Sequence, residues 1–293
     1  MAPRRIEVTR PDKMLWPALG ITKQAFVDYL GSVADRMLPW LRDRPLTLIR
    51  APDGVDGQRY FQKDTPRYAP SWIRTVTIPA PSAKRDVAYT VCNDAATLAW
   101  LGNQAALEFH PAPVRRDRLE RPDLLVVDID PPDGAFEAAV EVAFLMLDVL
   151  DDLGLMPLVK TTGGKGLHIV VPIVRHVSPE QLRRAATRLT AIVADRRPDL
   201  VTAEFRKASR KGRVMLDPSR NGTGATIVAP YSPRARAEAT VSFPILPDEL
   251  RSIAPGDFTV ATVPDRLDEA GPARWTEAAT GWHQRLPASL LRE

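Results

Sequence analysis

Cysteine is almost absent from this chain, and so are long apolar runs. Cys92 is the only cysteine among 293 residues, which excludes an intramolecular disulfide and a zinc site built on cysteines. No apolar run approaches the length that spans a membrane, and the N-terminal stretch MAPRRIEVTRPDK lacks the apolar segment of a secretory signal. We therefore expect a cytoplasmic protein without a membrane span.

Internal repeats and low-complexity linkers are also absent, and the 28 prolines are dispersed along the chain. Proline spread in this way is typical of many short elements joined by rigid turns. The spacing of apolar residues predicts helices near 23–41, 95–104, 136–153 and 179–195, with short strands between them. Strands close enough to pair, alternating with helices, indicate an α+β fold with central mixed or antiparallel sheets flanked by helices.

Charge of one sign is not strongly dominant, since the formal net charge is only +4. A modest basic excess is compatible with a polyanionic partner but does not establish one. Lys and Arg are concentrated in the stretch EFRKASRKGRVMLDPSR, residues 204–220. This composition is typical either of a solvated loop or of a groove that binds phosphates.

Two carboxylates, Asp128 and Asp130, end the apolar run LLVVDID before a double proline. Strand side chains alternate in direction, so both acids project from one face, and a metal ion, a basic neighbour or solvent must compensate their repulsion. The pattern is common in strand-end turns, and it also suits Mg²⁺ or Mn²⁺. Asp217, which ends another apolar run, is either a turn residue or a third carboxylate of the same set.

A glycine-rich turn, TGGKG at 162–166, precedes a strand that begins near His168. Glycine lets backbone amides approach an anion closely, and Lys165 adds a positive charge. The spacing is not that of a P-loop, and a strand rather than a helix follows. The turn is therefore either a hairpin with an exposed lysine or an anion site beside the imidazole of His168.

In this order, the motifs resemble the archaeo-eukaryotic primase superfamily, and most closely the polymerase domain of bacterial DNA ligase D. The resemblance rests on D-x-D, on the turn [ST]-x-G-G-x-G-x-H and on the later strand-end Asp. It extends from PDKMLWPALGITK through RPLTLIRAPDGVDGQRYFQK and LAWLGNQAALEFHP to VMLDPSRNGTGATIVAPYSPRAR. It implies a single primase-polymerase catalytic domain over residues 1–293, without a ligase or nuclease segment.

The resemblance implies a template-directed nucleotidyltransferase that adds nucleotides, preferably ribonucleotides, to a 3′-hydroxyl at gaps or broken DNA ends. It implies two Mn²⁺ or Mg²⁺ ions, a nucleoside triphosphate, and DNA with a downstream 5′-phosphate as the nucleic-acid partner. Ku and a separate ligase are expected as further partners, and the expected location is the bacterial cytoplasm at the nucleoid. Two alternatives stay open, namely a non-catalytic module that bridges DNA ends and a metal-dependent phosphodiesterase.

The same resemblance implies roles for individual residues. The catalytic, metal-binding carboxylates are Asp128, Asp130 and Asp217. The nucleotide contacts are His110, Thr162, Lys165, His168, Arg210, Arg220 and Arg234. Of these, His110 lies near the sugar of the incoming nucleotide. Tyr60 and Phe61 match an aromatic pair that stacks on the template base, and Lys13 and Lys23 match the lysines of a pocket for the 5′-phosphate.

A few positions depart from the family pattern. Tyr60 stands where the family often has Phe, and stacking is expected to survive because both rings offer a π-face. Arg10 stands where a relative has a short polar residue near the phosphate pocket. Family members align broken ends with a surface loop in the 73–90 region, and IPAPSAKRD occupies that place here.

Overall fold

The computed structural model describes residues 4–80 and 84–292, and the chain forms two compact units. Unit 1 consists of Met1–Asp117, Thr226–Ser242 and Phe258–Leu267. Unit 2 consists of Arg118–Ala225, Phe243–Asp257 and Asp268–Glu293. The single catalytic domain expected over 1–293 stays a prediction.

The described part of unit 1 is built around an antiparallel sheet. Strand β3 pairs with β4, β6 and β7, β5 pairs with β6, and β1 and β2 form a separate pair. Its elements are β1 (Met14–Trp16), β2 (Ile21–Thr22), α1 (Lys23–Ser32), α2 (Ala34–Leu41), β3 (Leu46–Arg50), β4 (Tyr60–Gln62), β5 (Arg74–Ala80), β6 (Arg85–Val91), α3 (Ala95–Asn103) and β7 (Ala106–Pro111).

The helix predicted over 23–41 is divided into α1 and α2 at Val33. Thr22 caps α1 as predicted, since its hydroxyl accepts a hydrogen bond from the Ala25 N–H at 3.1 Å. Gly31 lies in the last turn of α1, where its low helix propensity favours an end. The apolar stripe that predicted one helix survives the break, because Val33 and Met37 are both fully buried.

The segment expected to align broken ends is an antiparallel hairpin of β5 and β6. The pairing runs from Arg74 opposite Val91 to Ala80 opposite Arg85. Residues 81–83 of the predicted loop lie outside the described residues.

The described part of unit 2 is built around a mixed sheet of six strands in the order β11-β12-β8-β10-β9-β13. Only β11 and β12 are parallel, and the other pairs are antiparallel. Its elements are β8 (Leu124–Asp130), α4 (Phe136–Asp152), β9 (Leu158–Thr161), β10 (Leu167–Pro172), α5 (Pro179–Arg196), β11 (Val201–Thr202), β12 (Val214–Asp217), β13 (Pro244–Ile245), α6 (Ala270–Gly281) and α7 (Ala288–Leu291).

The central strands β8 and β10 are buried along almost their whole length, and α4 and α5 pack against β8. A polar side chain on such a strand is tolerated only with a partner, because an unpaired buried polar group costs several kcal/mol. The acids of β8 are therefore confined to its last three residues, where the strand reaches the turn before α4. In the described ranges no helix combines the length and apolarity needed to cross a membrane.

Candidate active site

The three predicted carboxylates lie together in unit 2. Asp128 and Asp130 end β8, and Asp217 ends β12, directly opposite Asp128 in the antiparallel register. Residues two apart on a strand share a face, and so do residues directly opposite each other. All three carboxylates therefore project from one face of the sheet and form an acidic cluster.

Arg220 lies between two members of the acidic cluster. Its Nε is 3.0 Å from Asp128 Oδ2 and 3.4 Å from Asp217 Oδ2. Asp217 also accepts a hydrogen bond from the Ser219 N–H at 2.9 Å and so caps the turn that carries Arg220. The repulsion between the acids could be compensated by a metal ion, a basic neighbour or solvent, and the structure shows a basic neighbour, Arg220.

Asp130 is bound by two further cations. Arg210 Nη1 donates to Asp130 Oδ2 at 2.8 Å, and Lys165 Nζ is 3.2 Å from Asp130 Oδ1. The Nε and Nη2 atoms of Arg210 donate to the carbonyls of residues 204 and 205, so the same side chain holds its own loop. The basic stretch 204–220 thus contributes two arginines to the acidic cluster.

His168 connects the acidic cluster to a fully buried lysine. In the sheet, His168 lies opposite Asp128 on one side and Lys160 on the other. Lys160 Nζ is 2.8 Å from His168 Nδ1, and His168 Nε2 is 3.2 Å from Asp128 Oδ1. Since an ammonium group can only donate, Nδ1 is the acceptor and the Nε2–H points at Asp128.

The protonation states follow from these contacts. Burial and the charge of Lys160 lower the pKa of His168 to about 4, so the ring is neutral at pH 7. Burial opposes ionisation of Asp128, but His168 and Arg220 outweigh it and hold the pKa of Asp128 well below its usual range. Asp128 therefore carries a permanent negative charge at neutral pH.

The donor chemistry of the acidic cluster suits a hard divalent cation, which prefers carboxylate oxygens. Among the described residues, no group of three or more His, Cys, Asp or Glu side chains is already arranged to hold a metal ion. The carboxylate oxygens face Arg210, Arg220 and Lys165 instead. An ion at this place therefore requires these basic side chains to release or share the oxygens.

The glycine-rich turn is closed by the hydroxyl of Thr162. This hydroxyl accepts from the N–H groups of Gly164 at 3.1 Å and Gly166 at 3.3 Å, and donates to the Gly166 carbonyl at 3.0 Å. A Cβ at residue 166 would overlap the carbonyl oxygen of Ile129, so only glycine allows the turn to pack against β8. The predicted phosphate contact of Thr162 stays a prediction.

The remaining predicted nucleotide contacts, His110 and Arg234, lie in unit 1 and share one buried carboxylate. Glu108 Oε2 is 2.8 Å from His110 Nε2 and accepts from Arg234 Nε at 2.9 Å. Glu108 itself is only 4% exposed. The structure thus brings these two residues together through a third that the sequence did not identify.

The aromatic pair lies on β4, at the end of the strand order of unit 1. Tyr60 and Phe61 are 46% and 65% exposed, unusual values for large aromatic residues. Both line a cleft of about 680 Å³ whose walls also include Arg50, Lys63 and Arg85. Exposed aromatic rings beside basic groups are the usual means of binding single-stranded nucleic acid.

Lys13 and Lys23 are adjacent and form a basic cluster at the start of α1. The Lys23 N–H donates to the Lys13 carbonyl at 2.8 Å, and Lys23 Nζ donates to the Thr9 hydroxyl at 3.0 Å. Lys13 Nζ is 2.8 Å from Asp53 Oδ1. Burial and the positive charges of Lys13 and Arg10 lower the pKa of Lys23.

The sequence did not identify three residues that hold predicted site residues in place, namely Lys160, Glu108 and Asn221. Lys160 did give a signal, because a lysine inside an apolar strand is rarely buried without a specific partner. Glu108 and Asn221 gave none, since each binds a partner far away in the chain. Arg234 is 126 residues from Glu108, and Val126 is 95 residues from Asn221.

Asn221 links the turn after Asp217 to the strand that carries Asp128. Its fully buried amide accepts from the Val126 N–H at 2.8 Å and donates to the Val126 carbonyl at 2.7 Å. A weaker hydrogen bond reaches the Pro218 carbonyl at 3.2 Å. The amide replaces a backbone partner for β8 and so connects the two strands that carry the acidic cluster.

We expect Asn221→Ala to lower the free energy of unfolding by roughly 2–4 kcal/mol, because it leaves buried backbone groups of Val126 unpaired. Urea denaturation followed by circular dichroism measures this loss. Gln24→Ala removes an amide that donates to Asp28 near the surface, and this substitution should lower the free energy of unfolding by less than about 0.5 kcal/mol. Equal losses in the two variants would contradict the role of Asn221.

Comparison with known proteins finds relatives over most of the chain. The family model described as LigD, primase-polymerase domain, matches residues 22–274. The multifunctional non-homologous end joining protein LigD of Mycolicibacterium smegmatis is 38% identical over 277 residues, which are 91% of this chain and 35% of that protein. The bifunctional non-homologous end joining protein LigD of Bacillus subtilis is 34% identical over 274 residues, 91% of this chain and 43% of that protein.

The chain thus spans less than half the length of these curated relatives. A solved structure, described as the polymerase domain from Mycobacterium tuberculosis ligase D in complex with DNA, matches with a TM-score of 0.85 and 33% identity. The match covers 92% of this chain and 96% of that one. It confirms the α+β fold predicted from the sequence.

Proposed function

The chain belongs to the family of LigD primase-polymerase domains and is a nucleotidyltransferase of the DNA-directed polymerase class, and from this premise we propose that it extends broken DNA during end joining. It adds nucleotides, preferably ribonucleotides, to a 3′-hydroxyl at gaps and breaks, and it recognises a downstream 5′-phosphate. Ku and a separate ligase act with it at the bacterial nucleoid.

One observation supports the proposal above all others, namely the acidic cluster surrounded by cations. Three carboxylates on one sheet face lie within ion-pair distance of Lys165, Arg210 and Arg220. Nucleotidyl transfer needs carboxylates and cations in the same place, since it must bind both a triphosphate and the ions that neutralise it. A packed structural site needs no such excess of charged groups.

Asp128, Asp130 and Asp217 are the residues that hold two divalent ions, Mn²⁺ or Mg²⁺, in this proposal. When bound, the ions supply positive charge that neutralises the triphosphate and favours the ionised 3′-oxygen. His168 donates its Nε2–H to Asp128 and keeps that carboxylate oriented, while Lys160 fixes the tautomer of the ring.

Lys165, Arg210 and Arg220 are the positive groups that bind the triphosphate. In the structure each of them is neutralised by a carboxylate of the acidic cluster. A triphosphate carries several negative charges and competes with these carboxylates for the same guanidinium and ammonium groups. The cluster thus holds its phosphate-binding side chains in place before the nucleotide arrives.

Tyr60 and Phe61 hold the template strand by stacking on its bases, and the basic side chains of the same cleft bind its phosphates.

A non-catalytic module that bridges DNA ends is the second candidate, because the basic cluster of Lys13 and Lys23 alone would serve it. Such a module has no use for the acidic cluster or for the contact between His168 and Asp128.

Primer extension on a gapped duplex with a 5′-phosphate separates these functions. With Mn²⁺ and ribonucleotides we expect addition of the nucleotide that is complementary to the template, and a changed template base should change the nucleotide added. Binding without extension would favour the bridging module, and shortening of the primer would indicate a phosphodiesterase. Omission of the primer shows whether the protein starts chains de novo.

A further inference from the structure

Glu108 is a buried carboxylate in unit 1 for which the proposed function has so far no use. It lies on β7 two residues before His110, so both side chains project from the same face of the sheet. Glu108 Oε2 faces His110 Nε2 at 2.8 Å and Arg234 Nε at 2.9 Å, while Oε1 accepts from the Ala235 N–H at 2.9 Å. Three donors therefore converge on one side chain.

The charge state of Glu108 decides the direction of these hydrogen bonds. Burial opposes ionisation, but His110, Arg234 and the Ala235 N–H outweigh it and lower the pKa of Glu108 to about 2. An ionised carboxylate only accepts, so the Nε2–H of His110 is directed at Glu108 and the ring tautomer is set. The Arg234 guanidinium is directed at the same oxygen atom.

Stability alone is a weak reason for this arrangement. Buried ion pairs are often no more stabilising than apolar residues of similar volume, because the desolvation of both charges offsets their attraction. What a carboxylate adds is orientation, since two hydrogen bonds at one oxygen fix both partners relative to each other. The two partners here are the residues expected at the nucleotide.

We propose that Glu108 is a positioning residue for the nucleotide. It holds His110 and Arg234 as a fixed pair that binds a ribonucleoside triphosphate. This inference rests on the proposed function and extends it to a residue for which the resemblance implied no role. It predicts that the recognition of the ribose by His110 and the phosphate contact of Arg234 depend on each other through Glu108.

The test compares Glu108→Gln with a control on the same sheet face, Thr47→Val. Thr47 lies directly opposite His110 in the pairing of β3 and β7, and it is 1% exposed. Its hydroxyl has no hydrogen-bond partner among the described residues, so valine keeps the shape and removes nothing that is used. Thr47→Val thus controls for disturbed packing near His110.

Steady-state extension with single ribonucleotides and deoxynucleotides gives KM and kcat for both sugars. We expect Glu108→Gln to raise KM for the ribonucleotide about tenfold, the effect of one weakened charge-assisted contact, and to reduce the ribose preference by a similar factor. The kcat at saturation should change less, and Thr47→Val should leave both quantities within about twofold. Glu108→Asp, which keeps the charge but retracts it, should also lose ribose preference and serves if Glu108→Gln fails to fold.

A second measurement tests the dependence between the partners directly. In the wild-type background, the effects of His110→Ala and Arg234→Ala on KM should not add, because each substitution disturbs the group held by the other. In the Glu108→Gln background they should add. A lower melting temperature with unchanged KM and unchanged ribose preference would make Glu108 purely structural and overturn the proposal. Absence of extension by the wild-type protein would instead contradict the proposed function itself.

Discussion

Asp128→Asn is expected to lower primer extension by about 10³-fold or more, because it removes the carboxylate charge around which the site is built. Asparagine keeps the volume of the side chain and can still accept from His168. The neutral amide of asparagine no longer attracts Arg220 or a divalent cation as strongly as the Asp128 carboxylate does. Asp130→Asn should have an effect of the same order, since Asp130 is the partner of both Arg210 and Lys165.

The defect should lie in ion binding and catalysis rather than in the affinity for DNA. Loss of a negative charge does not weaken the attraction for a polyanion, so the dissociation constant for a gapped duplex should stay within about threefold. Titration of Mn²⁺ by electron paramagnetic resonance, without DNA or nucleotide, should show fewer or weaker sites in both variants. Near-normal extension by either variant with Mn²⁺ would remove the metal assignment.

Asp133→Asn is the matched control for these variants. Asp133 follows the same strand, lies 3.2 Å from the same Lys165 Nζ, and is mostly exposed. Its interaction with lysine is screened by solvent and contributes little. Extension by Asp133→Asn should therefore stay within about threefold of the wild type. If Asp133→Asn lost as much extension activity as Asp130→Asn, any acid near Lys165 would be required, and the position of the carboxylate on the site face of β8 would not matter.

The geometry of the acidic cluster was predictable because it depends on local periodicity. Residues two apart on a strand share a face, so the stretch LLVVDID places Asp128 and Asp130 on one face without knowledge of the neighbouring strands. The position of Asp217 beside Asp128 was predictable only through the resemblance to a family, since no local rule pairs β12 with β8. Lys165, Arg210 and Arg220 were predicted to contact phosphate, and the structure shows them in ion pairs with the carboxylates.

Two residues that orient the predicted site residues, Glu108 and Asn221, were beyond the reach of the sequence. Glu108 reads as an ordinary acid in the strand ALEFHP, and nothing in that stretch indicates that Arg234 will approach it. Asn221 reads as a turn residue, and its actual task is to hydrogen-bond a strand 95 residues earlier. In each case the partner is chosen by tertiary folding, which single-sequence patterns do not encode.

Lys13→Ala/Lys23→Ala is expected to remove a preference for DNA that carries a 5′-phosphate at the downstream side of a gap. The two lysines are joined through a backbone hydrogen bond, and burial together with the positive charges of Lys13 and Arg10 lowers the pKa of Lys23. Asp53 offsets the charge of Lys13 in the free protein, but like charges this close still repel each other, and an anion bound by both lysines removes the repulsion. A terminal phosphate is an anion that fits this role.

The effect should be large because each charge-assisted contact contributes roughly 1.5–3 kcal/mol. Wild-type protein should therefore bind the phosphorylated duplex at least about tenfold more tightly than the same duplex with a 5′-hydroxyl. Fluorescence anisotropy with both duplexes measures the ratio, which should fall to about one in the double variant. Extension on a simple primed template without a downstream strand should barely change.

Asp53 provides the sharpest check on this interpretation, because it neutralises Lys13 in the free protein at 2.8 Å. A phosphate dianion that binds Lys13 must compete with that carboxylate, and the carboxylate repels it. Asp53→Asn should therefore raise the preference for the 5′-phosphate, in the direction opposite to the lysine substitutions. A packing defect at the start of α1 would lower the preference in both variants, so opposite signs identify electrostatics as the cause. Equal affinity of the wild-type protein for both duplexes would show that the basic cluster does not recognise a terminal phosphate.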